Sequence, residues 1–135
     1  MNRSLLLAYQ LLTGLSDTVT GILLCVAPAL TLRMMGVHAP VDALPYVGYI
    51  GAFVLSIGLA CLYGARIVRL PSCTDRLETV WLLTALSRAA VALYLLPEIS
   101  IGSLERAWMG VVLFDGTCAI IQAVGLRRGW LRNAR

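Results

Sequence analysis

Long apolar runs, separated by short connections that hold most of the charged residues, divide the sequence into four segments. A transmembrane helix needs about 20 apolar residues, because each residue adds about 1.5 Å and the hydrocarbon layer is about 30 Å thick. Four stretches reach that length, at about 5–27, 44–65, 79–97 and 106–127. The pattern predicts an all-α fold, a polytopic membrane protein whose residues 1–135 form a single four-helix transmembrane bundle.

The connections between the runs support these boundaries. Pro28, Pro45 and Pro97 stand where the spans begin or end, as is typical of proline. The segment at 29–37, ALTLRMMGV, is short and mixed in polarity, so we expect an interfacial turn of helix there. The other connections are brief, which favours antiparallel neighbouring helices.

The composition points to the same class of protein. Hydrophobic residues make up 59% of the chain, charged residues only 13%, and the mean hydropathy is +0.84. A soluble domain carries about 25% charged residues, and the core of so short a chain would not bury this much apolar surface. We therefore predict the lipid bilayer as the main partner and no soluble domain.

The arginines predict the orientation of the bundle. Only Arg33 and Arg106 fall on the side opposite the two termini. Eight arginines fall on the side of the termini: Arg3, Arg66, Arg69, Arg76, Arg127, Arg128, Arg132 and Arg135. Because positively charged connections stay in the cytoplasm, both termini are predicted to be cytoplasmic. This distribution along the ends of the spans also argues against a nucleic-acid partner, although the net charge is +4.

Motifs of common metal and catalytic chemistry are missing from the sequence. The four cysteines, Cys25, Cys61, Cys73 and Cys118, form no close pair, and His38 is the only histidine. This spacing indicates neither a disulfide framework nor a metal site. The sequence also lacks a nucleophile–base pair, an HExxH motif and a glycine-rich phosphate loop. We predict no enzyme activity, no metal and no cofactor.

Three ionisable residues interrupt the spans: Asp17, Arg88 and Asp115. Each lies about 10–12 residues from the end of its span that faces the termini, which is a depth of about 15–18 Å and close to the bilayer midplane. A charge exposed to lipid at that depth costs about 2.5–3.5 kcal/mol. We therefore expect the arginine to face inward and to pair with the two carboxylates.

Polar residues at helical spacing extend this predicted site toward the termini. Gln10 and Thr13 share a face with Asp17, Thr84 lies one turn before Arg88, and Gln122 shares a face with Asp115. The predicted binding or proton site comprises Asp17, Arg88, Asp115, Gln10, Thr13, Thr84 and Gln122. Two carboxylates and one guanidinium sum to −1, so we hypothesise that one aspartate holds a proton at neutral pH, or that the site recruits a cation or a substrate ammonium.

Small residues recur every fourth position along the second span: Gly48, Ala52, Ser56, Ala60 and Gly64. Such residues let helix backbones approach closely in lipid. We predict that this stripe packs against another helix of the bundle, with a second copy of the chain as the alternative. Aromatic residues near the span ends are predicted to be interfacial anchors: Tyr9, Tyr63, Trp81, Tyr94, Trp108 and Trp130.

Three stretches give the chain a family resemblance. They are GILLCVAPALTLRMMGV (21–37), YVGYIGAFVLSIGLACLYG (46–64) and the arginine of LSRAAVAL (86–93). With four spans, the chain resembles the small bacterial DoxX-like membrane proteins, particularly a four-helix family of unknown function. The resemblance implies a bacterial inner-membrane location and offers no catalytic residues to carry over.

Two functions remain open from the sequence. The charge cluster can serve proton- or cation-linked binding or transport of a small solute, with a small-molecule ligand as partner. Alternatively, the chain is an accessory or scaffold subunit of a homo-oligomer or larger membrane complex. In that case the charges only fix how the helices pair.

Overall fold

The computed structural model describes residues 2–70 and 74–132. The five α-helices in these ranges are α1 (Arg3–Val26), α2 (Pro28–Met34), α3 (Leu44–Val68), α4 (Thr74–Ser100) and α5 (Met109–Arg127). Single turns of 3-10 helix, Val41–Ala43 and Arg106–Trp108, lead into α3 and α5. No strand occurs within these two ranges. Cys73 and Arg135 lie outside the described residues.

Four of these helices, all except α2, are long and apolar enough to cross a membrane. This confirms the predicted all-α fold and its four membrane-length helices. The largest difference is in α4, which begins at Thr74 and continues three residues past Pro97. Proline lacks the backbone N–H that would bond to the preceding turn, but near a helix end this removes only one bond. The predicted interfacial turn is the short helix α2, with Pro28 at its favoured first position.

Three glycines with positive φ end α2, α4 and α5: Gly36 at 74°, Gly102 at 81° and Gly129 at 63°. After each glycine, a backbone N–H bonds to the carbonyl five residues earlier: Val37 to Leu32, Ser103 to Glu98 and Trp130 to Gly125. This hydrogen-bonding pattern is the Schellman motif, which requires a left-handed residue that glycine adopts without strain. The chain therefore turns back sharply at each of these ends.

The four long helices form two pairs. α1 packs most extensively against α3, and α4 against α5, whereas α3 and α4 share a smaller contact. The α1–α3 contact is close because glycines meet on it. A Cβ atom built on Gly51 would lie 2.6 Å from Cβ of Leu24, and one built on Gly21 would overlap the backbone of Leu55. The bundle therefore consists of two closely packed helix pairs, and the contact between the pairs is less extensive than the contact within them.

The small-residue stripe of α3 does not form one packing face. Gly48 and Gly64 lie against α1, but Ala52 and Ser56 are exposed on the outside of the bundle. The reason is geometric: a step of four residues turns about 40° past a full turn, so such a stripe winds around its helix. The glycines that α1 contacts in the middle of α3 are Gly51 and Gly58, which the four-residue pattern misses.

The outer surface of the bundle is apolar. Leu12, Phe53, Leu93 and Leu113 are all more than half exposed. Exposed apolar side chains on every long helix are typical of a surface that contacts a membrane or another protein. The outward surface thus agrees with the membrane-length helices.

Apolar clusters fill both ends of the bundle. We call the end where α1 and α4 begin the terminal end, and the other the far end. The terminal-end cluster comprises Leu6, Ile67, Val68, Leu77, Trp81 and Leu131. The far-end clusters comprise Leu24, Leu32, Val37 and Val47, and separately Leu95, Ile99 and Val112. The polar interior lies between them.

Polar contacts tie the connections at each end. At the terminal end, Arg132 bonds to both carboxylate oxygens of Glu78 at 2.8 and 3.1 Å. At the far end, the backbone N–H of His38 lies 3.2 and 3.3 Å from the carboxylate oxygens of Glu105. The second contact joins the loop after α2 to the connection between α4 and α5.

Candidate functional site

A buried arginine joins two carboxylates from different helices. The Arg88 side chain, on α4, is 2% exposed. Its Nη2 donates to Oδ2 of Asp17 on α1, and its Nη1 donates to Oδ1 of Asp115 on α5 at 2.6 Å. The structure thus brings together the three ionisable residues that the sequence places at one depth. We call these three residues the charge cluster.

Two further side chains border the guanidinium. The ring of Phe114 lies beneath it, with the guanidinium carbon 5.2 Å from the ring centroid. Cys61, on α3, is fully buried beside Arg88 and Thr13. A cation over an aromatic ring is stabilised electrostatically, so Phe114 helps to hold Arg88 in the interior. The sequence analysis missed Phe114, which has no distinguishing pattern, and treated Cys61 only as a small hydrophobic residue.

The threonines of the predicted site are buried without losing hydrogen bonds. The hydroxyl of Thr13 donates to the Tyr9 carbonyl at 2.9 Å, and that of Thr84 donates to the Val80 carbonyl at 2.8 Å. Bonds of this kind, to the carbonyl four residues earlier, satisfy a hydroxyl within its own helix. Each hydroxyl oxygen also has two lone pairs that can accept hydrogen bonds.

The two glutamines of the predicted site are completely buried. Gln122 donates from Nε2 to the Thr84 hydroxyl at 2.8 Å and so joins α5 to α4. Gln10 packs against Gly64 of α3, where a Cβ atom would lie 3.0 Å from the amide carbon. Neither amide atom of Gln10 has a partner within the described part of the chain, nor does Oε1 of Gln122.

Helical register stacks these residues in layers. Gln10 precedes Asp17, Trp81 precedes Arg88, and Gln122 follows Asp115, each by seven residues. Seven residues are about two helical turns or about 10 Å, and all three steps lead toward the terminal end. We call Gln10, Trp81 and Gln122 the amide layer. Between it and the charge cluster lie Thr13, Thr84 and Cys118, and we call the whole column the polar seam.

Two aromatic residues that the sequence predicts as interfacial anchors, Trp81 and Tyr9, lie in the amide layer and beside it, respectively. Trp81 is fully buried, and its ring lies 5.4 Å from that of Tyr9 between centroids. The Tyr9 hydroxyl donates to the Cys118 carbonyl at 3.4 Å, across the two helix pairs. The prediction that Trp81 is an interfacial anchor is therefore wrong, whereas Tyr9 is only half-buried and its role as an anchor stays a prediction. Closeness to a span end in sequence does not reveal which side of the helix is buried.

The arrangement favours a positively charged ligand or a proton. With all three groups ionised, the charge cluster carries −1, and Arg88 keeps its charge at every physiological pH. A net negative charge away from water is stabilised by a proton on one carboxylate or by a nearby cation. The amide oxygens of Gln10 and Gln122, which have no partner in the ranges 2–70 and 74–132, add uncharged acceptors about 10 Å away.

Comparisons with known proteins add no relative. No protein-family model, no curated protein and no solved structure matches this chain.

Proposed function

We propose that the chain is a small integral protein of the bacterial inner membrane whose charge cluster binds a proton or a cation, linked to the binding or transport of a small solute. The observation that carries the proposal is the position of Arg88, which pairs with carboxylates on α1 and α5. Ionisable residues within membrane spans are costly and mark substrate or ion pathways by default.

The charge cluster crosses the interface between the two helix pairs. Asp17 belongs to the α1–α3 pair, whereas Arg88 and Asp115 belong to the α4–α5 pair. A proton on Asp17, or a cation bound to it, weakens its bond to Arg88 across that interface. The bond between Asp17 and Arg88, which joins the two helix pairs, is therefore weaker when a proton or cation is bound than when the site is empty. This difference couples binding to a change in the relative position of the pairs.

The orientation and the family assignment are parts of the same proposal. Seven of the eight arginines on the side of the termini are among the described residues, and all seven are exposed at the terminal end. This asymmetry supports a cytoplasmic terminal end. The resemblance of 21–37, 46–64 and the Arg88 segment to DoxX-like proteins supports the bacterial inner membrane.

Replacement of Asp17 by asparagine tests the function. We expect Asp17→Asn to fold but to lose proton flux, because an amide of the same shape cannot exchange a proton near neutral pH. Protein in liposomes loaded with pyranine, a pH dye, is energised by a valinomycin-set potassium gradient, and internal acidification is measured. In parallel, methylammonium should raise the melting temperature of the wild type and not that of the variant.

Asp42→Asn provides the matched control. Asp42 is exposed in the turn before α3, so the same chemical change there should leave flux and the methylammonium response unchanged. Equal acidification rates and equal melting shifts for the wild type and Asp17→Asn would contradict the proposal.

A second candidate function is that of an accessory or scaffold subunit, with the charge cluster only structural. The observation that favours it is the outward position of Ala52 and Ser56, which leaves small side chains open to a helix from another chain. On this alternative, the partner is a second copy or a larger membrane complex.

Ser56→Leu tests the scaffold alternative. We expect the bulkier side chain to dissociate an assembly that native mass spectrometry detects for the wild type in mild detergent. Ser87→Leu is the control, because Ser87 on α4 is also exposed and also bonded to its own helix backbone. Identical masses for both variants and the wild type would exclude Ser56 from an interface.

A further inference from the structure

Unpartnered polar atoms are concentrated in the polar seam. Among the described residues, six buried side-chain atoms have no hydrogen-bond partner, and five of them lie in the seam: Nε2 and Oε1 of Gln10, Nε1 of Trp81, Nε of Arg88 and Oε1 of Gln122. The sixth, Oγ1 of Thr18, lies against Gly58 of α3. Gln10, Trp81 and Gln122 are each 0% exposed, and Arg88 is 2% exposed. A buried donor or acceptor without a partner is strongly unfavourable, and buried polar groups in native proteins are nearly always bonded.

The chemistry of these atoms selects the ligand that would satisfy them. Three are donors, on Gln10, Trp81 and Arg88, and two are amide acceptors, on Gln10 and Gln122. A ligand that bonds to all of them must both donate and accept within a small volume. Water does both, and a buried water usually bonds to about three protein groups that otherwise lack partners.

We propose that the amide layer is a water-binding site, and that its water continues to Arg88 as a hydrogen-bonded file that communicates with the terminal end of the bundle. The middle of the seam supports such a file. Between the amide layer and the charge cluster, the Thr13 hydroxyl keeps its acceptor capacity, and the Thr84 hydroxyl, which accepts from Gln122, keeps one lone pair. Water at these levels spans the distance of about 10 Å between the two layers.

The two ends of the seam differ in how much apolar packing separates it from the surface. From Gln10 to Arg3 the terminal-end cluster covers seven residues, or about 10 Å. At the far end the packing covers nine residues from Asp17 to Val26 on α1, or about 14 Å, and 12 residues from Arg88 to Ser100 on α4, or about 18 Å. The thinner cluster also contains Leu131, which follows the turn at Gly129 and belongs to no helix. Access from the terminal end is therefore the shorter route.

This water would supply protons to Asp17 and Asp115, a role that rests on the proposed function. Its presence does not rest on that function, because the buried amides require partners whether or not the protein transports a solute. The test therefore measures hydration and not flux.

Radiolytic hydroxyl-radical labelling of the full chain in lipid nanodiscs tests the proposal, since radicals formed from bound water oxidise adjacent side chains. We expect Trp81 to be oxidised in the wild type although it is fully buried, whereas Leu95 and Ile99, corrected for intrinsic reactivity, stay at background. In Gln10→Leu/Gln122→Leu, which removes the amides, oxidation of Trp81 should be lost. Oxidation of Trp108, at the far end, should be unchanged and serves as the internal reference.

The wild type alone keeps the proposal testable if the double variant does not fold. Background oxidation of Trp81 in the folded wild type overturns the proposal, as does equal oxidation of Trp81 in the wild type and a folded double variant. Oxidation of Leu95 and Ile99 as strong as that of Trp81 overturns the route through the terminal end.

Discussion

Arg88→Leu is expected to lower the free energy of unfolding by about 3–5 kcal/mol, because it leaves two buried carboxylates without their counter-ion. The Arg88 side chain is 2% exposed, and those of Asp17 and Asp115 are 10% and 15% exposed, so little water is available to stabilise the freed charges. Unfolding in mixed micelles by increasing denaturing detergent, followed by circular dichroism, measures the loss.

The triple variant Asp17→Leu/Arg88→Leu/Asp115→Leu distinguishes two causes of lower stability in Arg88→Leu: unpaired buried carboxylates and the loss of the packing that the Arg88 side chain provides. It removes all three charges together, so we expect it to be more stable than Arg88→Leu alone, as is observed when buried ion pairs are replaced by apolar residues. Arg76→Leu, at an exposed position near the start of α4, should change stability little. If Arg88→Leu is as stable as Arg76→Leu, the charge cluster does not hold the helix pairs together.

Gly51→Ala is expected to destabilise the α1–α3 pair by about 1–3 kcal/mol, the usual range for overpacking a tight interior. The added methyl group would lie 2.6 Å from Cβ of Leu24 and 3.0 Å from backbone atoms of Cys25 and Gly21. Backbone atoms in a helix cannot move aside separately, so the two helices must shift apart. The same unfolding measurement detects the change.

Gly48→Ala is the matched control for this substitution. It lies almost one turn away on α3, but its nearest contact would be the Leu24 carbonyl oxygen at an ordinary 3.8 Å. Alanine favours a helix over glycine by up to about 1 kcal/mol, so this variant should be unchanged or more stable. Equal effects of the two substitutions would show that close approach at Gly51 is not what binds α1 to α3.

Most residues of the polar seam could be predicted, because the spacing of polar residues within each single helix identifies its buried face. Helical periodicity alone places Asp17, Thr13 and Gln10 on one face of α1. It likewise places Asp115 and Gln122 on one face of α5. The cost of a charge in lipid then requires those faces to point inward. Neither argument predicts the role of Trp81, which resembles any tryptophan near a span end until its neighbours are known.

The four membrane-length helices and the common level of their three charges follow from the sequence, because length, hydropathy and residue count act along a single helix. The pairing of the helices could not be predicted: α1 pairs with α3, and α4 with α5. The same holds for the outward position of Ala52 and Ser56 and for the contact of Arg88 with both aspartates. Those outcomes depend on steric fit between segments far apart in sequence. A rotation of about 40° around the helix axis, the step between Gly48 and Ala52, is enough to change a packing residue into one that is exposed on the outside of the bundle.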